Sequence, residues 1–120
     1  MEAKVYRLDE LPSDSPMEKI NRRRIVCEQM MISDVTLERG FAVETHSHDN
    51  EQFAFVLSGR LRFGLGQSGG DDYREVEAGA GEVMHLPGNV PHSAVALEDS
   101  RVIDMFAPPS ESTGIDREKR

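Results

Sequence analysis

Three imidazoles and one amide are spaced along this chain as ligands for a single metal ion. They fall in two short blocks, G-x5-H-S-H-x3-Q-x6-G from Gly40 to Gly59 and G-x5-P-x-N-x2-H from Gly81 to His92. In a β-strand side chains alternate between faces, so His46 and His48 point the same way, about 6.6 Å apart along the backbone. Two imidazoles at that separation can converge on one cation with metal–nitrogen bonds of about 2.1 Å. Gln52 keeps the same parity, while Asp49-Asn50 offers a turn or bulge between them, and Glu51 is the alternative fourth ligand if the chain rotates there. His92 lies far down the chain and must arrive on another strand, so only the tertiary fold closes the site. Imidazole suits zinc, copper, iron and nickel, whereas amide oxygen is a harder and weaker donor. The fourth histidine, His85, stands outside the pattern and reads as an ordinary surface or core residue.

The elements that must position these ligands are short strands. Strand-like stretches run over 24–29, 30–38, 41–45, 52–57, 61–65, 73–76, 82–86, 92–97 and 102–107, punctuated by Ser58-Gly59 and the QSGGDD loop at 67–72. No stretch carries a sustained helical period. Many short strands with Gly and Pro turns predict an all-β sandwich or barrel. We divide the chain into an N-terminal arm (1–21), a barrel (22–107) and a polar tail (108–120). Parity with the histidines turns Ala54 and Val56 inward and Phe53, Phe55 and Leu57 outward. On the His92 strand, Ala94 and Ala96 share the ligand's face. Small side chains beside the ligands leave room for a guest.

Bulk properties narrow the setting. One hundred and twenty residues make one domain with a modest core. No apolar run approaches the ~20 residues that span a bilayer, and the N-terminal segment has no hydrophobic signal region. A single cysteine, Cys27, allows no intrachain disulfide, so a cytoplasmic location is expected, with Cys27 itself packed inside. A net charge of −8 repels phosphate backbones, which argues against nucleic acid and anionic membrane as partners. The one basic run, Arg22-Arg23-Arg24, reads as a solvated edge or an oligomer contact rather than an anion site.

Late in the chain, Val102, Asp104 and Phe106 share one face of a strand. A carboxylate among apolar neighbours costs free energy unless it is paired or functional. Asp104 either caps the strand end or meets an arginine such as Arg60 or Arg62, or it takes part in chemistry.

Gly40 to Gly59 resembles the first motif of the cupin superfamily, and Gly81 to His92 resembles the second, with a short gap between them as in single-domain cupins. The resemblance implies a double-stranded β-helix, the jelly-roll barrel. It also implies one divalent metal (Ni, Zn, Fe or Mn) held by His46, His48, Gln52 and His92. Two positions depart from the motifs. Gln52 stands where a glutamate ligand is usual, and Asn89 replaces an inner glycine, a residue type that also tolerates a left-handed turn. A site of three imidazoles and an amide offsets none of the metal's charge. The ion is then a stronger Lewis acid that favours an anionic ligand such as a carboxylate or enolate oxygen.

Within the superfamily, HSHDNEQFAFVLSGRLRF together with VIDMFAPP resembles small cupins of pectin and alginate breakdown that open 4,5-unsaturated uronates to linear keto-sugar acids. That likeness implies Asp104 as the catalytic acid or base and Phe106 as its neighbour in the substrate pocket. An arginine expected after the paired prolines is Ser110 here. Arg60 or Arg62 is the candidate replacement, forking onto the substrate's carboxylate, with a solvated place on the barrel exterior as the alternative reading of both. The reaction expected is isomerisation or ring opening of a small anionic sugar, with a homodimer as the assembly. An iron-dependent dioxygenase and a non-catalytic sugar-binding cupin are the alternatives.

Overall fold

The computed structural model describes residues 2–109. Nine strands follow a three-residue 3-10 turn at Leu8–Glu10: β1 (Ile20–Val26), β2 (Met31–Leu37), β3 (Ala42–His46), β4 (Glu51–Ser58), β5 (Arg60–Leu65), β6 (Arg74–Gly79), β7 (Val83–Leu86), β8 (His92–Ala96) and β9 (Ser100–Ala107). They form two sheets, ordered β1-β2-β9-β4-β7 and β3-β8-β5-β6, and every strand pairing is antiparallel. Two such sheets, with the chain crossing between them, make the jelly-roll barrel expected from the sequence. No helix among the described residues is long and apolar enough to cross a membrane.

Alternation builds the core. On β4, Gln52, Ala54 and Val56 are buried, while Glu51, Phe53 and Leu57 are exposed. From the neighbouring strands Val35, Val102 and Leu86 join the same inner layer, and Leu61 and Phe63 of β5 meet them from the opposite sheet. Each fully buried side chain of this size contributes roughly 1.5–3 kcal/mol relative to exposure. The β4–β5 turn depends on Gly59. Its φ is 86°, and a Cβ there would collide with the Ser100 hydroxyl and lie 2.5 Å from the Asp99 carbonyl oxygen.

The first strand departs from expectation. β1 starts at Ile20 rather than Arg24, and Arg22 is buried rather than solvated. Asp14 explains both. It bridges Arg22 through two backbone hydrogen bonds of 2.9 and 3.0 Å, and its carboxylate takes Arg22 Nε at 2.9 Å and Nη2 at 3.0 Å. Part of the N-terminal arm is thereby stitched to the sheet edge. Cys27 is exposed, not packed inside, because it lies past the end of β1 in the turn where its N–H donates to the Met30 carbonyl. Of the polar tail, residues 110–120 lie outside the described residues, and Ser110 with them.

Candidate metal centre

His46 ends β3 and is the cross-strand partner of His92, which opens β8, with a register shift between Val43 and His46. His48 comes from the loop after β3, so convergence does not rest on simple strand alternation. The irregular register and the loop bring the rings together instead. Ring centroids lie 4.4 Å apart for His46–His92, 5.0 Å for His48–His92 and 5.7 Å for His46–His48. One nitrogen from each ring lies within 4.8 Å of the others. One ion with bonds of about 2.1 Å draws such a set together with small ring movements.

Backbone carbonyls set the tautomers. His46 Nδ1 donates to the Glu44 carbonyl at 2.8 Å, His48 Nδ1 to Asn50 at 3.1 Å and His92 Nδ1 to Val90 at 2.9 Å. A carbonyl oxygen only accepts, so each Nδ1 carries its hydrogen and each Nε2 keeps a lone pair. His48 Nε2 is buried without a hydrogen-bond partner among the described residues. Leaving a buried acceptor unsatisfied costs about 1–3 kcal/mol, a penalty that metal coordination removes. Burial lowers the His92 pKa from 6.5 to about 4. The Val90 carbonyl opposes that shift, and His46 and His48 add to it. The ring is therefore neutral near pH 7, the state a metal ligand requires. The donor set fits a divalent ion.

The second block clasps the first through main-chain contacts. The Asn89 N–H donates to the His48 carbonyl at 2.8 Å, and a Cβ on Gly88 would lie 2.8 Å from the Asp49 carbonyl oxygen. Asn89 adopts φ 68°, the left-handed conformation expected of it. Asn50 is a positioning residue that the sequence did not reveal. It is almost fully buried, its carbonyl holds His48, and its side-chain Nδ2 donates to the Pro108 carbonyl past the end of β9. A turn-favouring Asn between His48 and Gln52 was the available signal.

Gln52 and Asp104 face the same interior. Gln52 pairs in register with Phe106, and Ala54 with Asp104. Gln52 Nε2 donates to Asp104 Oδ1 at 3.0 Å, which leaves the amide oxygen for another partner. Burial raises the Asp104 pKa from 3.8 to about 7, with the Gln52 hydrogen bond opposing. Phe106 packs edge-on against His48 at 5.9 Å between centroids. His46, His92, Gln52, Asp104 and Phe106 line one cavity of about 60 Å³, with Ala94 and Leu86 among its apolar walls. As it stands, that volume admits an ion and a few atoms of a ligand, and a larger molecule would extend through the mouth.

Three candidates lie elsewhere. Glu51 points to the outer face of β4, where its carboxylate meets His85 Nε2 at 2.7 Å, so it does not replace Gln52. Arg60 and Arg62 also face outward, and this corrects the expectation that they hold substrate. Leu61 and Phe63 take the inward positions of β5, and the two arginines share Glu77, each at 3.6 Å.

The whole chain compares closely with solved cupin structures. KdgF from Halomonas sp. is 26% identical with a TM-score of 0.78, over 92% of this chain and 97% of that one. An RmlC-like cupin from Shewanella frigidimarina is 19% identical with a TM-score of 0.79, covering 92% and 95%. Bacillus subtilis oxalate decarboxylase, a protein with Mn(II) centres, is 20% identical with a TM-score of 0.76, and the match spans 32% of its length. No curated protein matches the sequence. The cupin domain model matches residues 33–106, from the second strand to Phe106 and across both histidine blocks. With that match over more than half its length, a jelly-roll barrel and three imidazoles gathered inside it, the chain belongs to the cupin family.

Proposed function

We propose that this cupin is a metal-dependent enzyme that opens a small unsaturated sugar acid, converting a 4,5-unsaturated uronate to its linear keto form. The observation that carries the reading is the Gln52–Asp104 pair sharing one cavity with two of the clustered imidazoles. A buried carboxyl thus sits beside clustered imidazoles whose neighbouring donor, among the described residues, is an amide and not a carboxylate. The resemblance of HSHDNEQFAFVLSGRLRF and VIDMFAPP to cupins of pectin and alginate breakdown supports that substrate class, beside the 26% identity to KdgF.

In this reading His46, His48 and His92 would hold a divalent metal through Nε2, with the Gln52 amide oxygen as a fourth donor. A divalent ion so held supplies Lewis acidity toward the carboxylate and a neighbouring oxygen of the sugar acid. The protein's own groups do the rest. Asp104 moves the proton: the ring C–O bond of the hemiacetal breaks, the anomeric hydroxyl loses its proton, and the alkene carbon gains one as the enol becomes a ketone. Atoms and electrons balance without a co-reactant, so the reaction is an isomerisation. Gln52 keeps Asp104 oriented, and Phe106 walls the pocket against water.

Incubating metal-loaded protein with 4,5-unsaturated galacturonate is expected to bleach the alkene absorbance. An Asp104→Asn variant that keeps its metal is expected not to. Undiminished turnover by that variant removes Asp104 from the mechanism, and no turnover by the wild type removes the reading.

A further inference from the structure

The barrel offers a cation for an anionic substrate on a strand that the metal motifs do not include. Ile20, Arg22, Arg24 and Val26 alternate onto the inner face of β1, since they pair with Leu37, Val35, Ser33 and Met31 of β2. Arg24 therefore begins a cross-sheet row that continues through Ser33 to Asp104 on β9. Two strand spacings of about 4.8 Å separate Arg24 from Asp104 at the backbone, and the ligand rather than the two side chains must bridge that gap. The residue between them is a buried serine, too small to block the way.

Around the two arginines lies a chamber of about 330 Å³, walled by Pro12, Ser13, Asp14, Arg22, Arg24 and Val26. Asp14 already places a carboxylate in it. Arg22, with a side chain only 3% exposed, forks onto that carboxylate, whereas Arg24 stands 3.6 Å from one of its oxygens and keeps 27% of its side chain exposed. The 3.6 Å contact of Arg24 is looser than the fork of Arg22, so part of its guanidinium stays open to the chamber. Planar guanidinium donors match a second carboxylate well. Arg60 and Arg62, engaged with Glu77 on the outer face, cannot serve this purpose.

We propose that Arg24 receives the carboxylate of an anionic ligand whose other end enters the cavity beside Asp104, while Arg22 stays locked to Asp14 as the anchor of the arm. The ligand's identity as a sugar acid rests on the function proposed above, but the anion subsite does not.

The test uses metal-loaded protein and two unreactive probes, D-galacturonate and neutral D-galactose, titrated calorimetrically. Wild type is expected to prefer galacturonate. Arg24→Gln is expected to weaken galacturonate binding about tenfold or more while leaving galactose binding and metal content unchanged. Arg24→Lys is expected to recover part of the loss, because it restores charge without the fork. Galacturonate binding unaltered by Arg24→Gln, or no wild-type preference for the acid, overturns the proposal. Turnover of the unsaturated uronate separates the two ideas. Wild-type turnover with an unchanged KM in Arg24→Gln sinks the role of Arg24 alone. Absent turnover alongside Arg24-dependent galacturonate binding sinks the reaction alone.

Discussion

Asp34 and Asp104 lie on adjacent strands of one sheet and are treated in opposite ways. Asp34, on the outer face of β2, is buried and receives a two-pronged grip from Arg101, Nε at 3.0 Å and Nη2 at 2.9 Å. Asp104, one register position away on the inner face of β9, receives an amide from Gln52 instead of a guanidinium. A matched cation makes a carboxylate part of the framework. An amide orients it and leaves its proton exchangeable. The difference teaches that burial alone does not decide how a carboxyl behaves, and that the nature of its partner does.

The sharpest way to break this contrast is to remove the imidazole cluster beside Asp104. His92→Ala is expected to abolish stoichiometric metal, read by elemental analysis, and to lower turnover by at least about 100-fold. Next come the two aspartates themselves. Asp104→Asn is expected to cost about 10²–10⁴ in kcat with metal retained. Asp34→Asn is expected to leave kcat within about twofold but to lower unfolding free energy by about 2 kcal/mol in urea titrations, a reduced figure because Arg101 is half exposed. If Asp34→Asn were the more damaging to catalysis, the division of labour would be wrong.

A smaller effect sharpens the comparison through pH. Burial raises Asp104 from 3.8 to about 7, so the folded metal-free chain keeps a proton that the unfolded chain gives up. Its contribution to stability is fully present below the lower value and is lost as pH rises through the higher one. His92, lowered from 6.5 to about 4, works in the other direction, and its contribution is lost as pH falls through the lower value. In chelator, Asp104→Asn is therefore expected to melt above wild type by several degrees near pH 8, with the gain vanishing toward about pH 4. The smallest effect belongs to the outer arginines. Arg60→Ala and Arg62→Ala are expected to change stability by less than about 0.5 kcal/mol and KM by less than about twofold.

Much of this was legible in the sequence, for identifiable reasons. Glycines and prolines mark where strands end, and alternation along FAFVLS separates Ala54 and Val56 from Phe53 and Leu57 without any structure. The gathering of His46, His48 and His92 was legible from residue type. Its cause was not, because a register shift in β3 and the carbonyls of Glu44, Asn50 and Val90 are backbone events that leave no residue signature. The same parity applied to β5 places Leu61 and Phe63 inside and so turns Arg60 and Arg62 out. Arg22 looked solvated because its burial depends on Asp14, eight positions earlier and outside the strand. Cys27 looked buried because hydrophobicity was read without the hairpin tip on which it sits.

The clasp between the Asn89 N–H and the His48 carbonyl has a consequence for how the ion is acquired. Peptide-to-peptide contacts join the two histidine blocks, and the rings are oriented by main-chain oxygens rather than by each other's ligation. The coordination sphere is therefore assembled ahead of its guest, and ordering of the chain does not draw down the affinity. Metal exchange then becomes a matter of ion supply and escape rate, with only small ring movements to close the shell. One such scaffold can host different first-row ions without refolding.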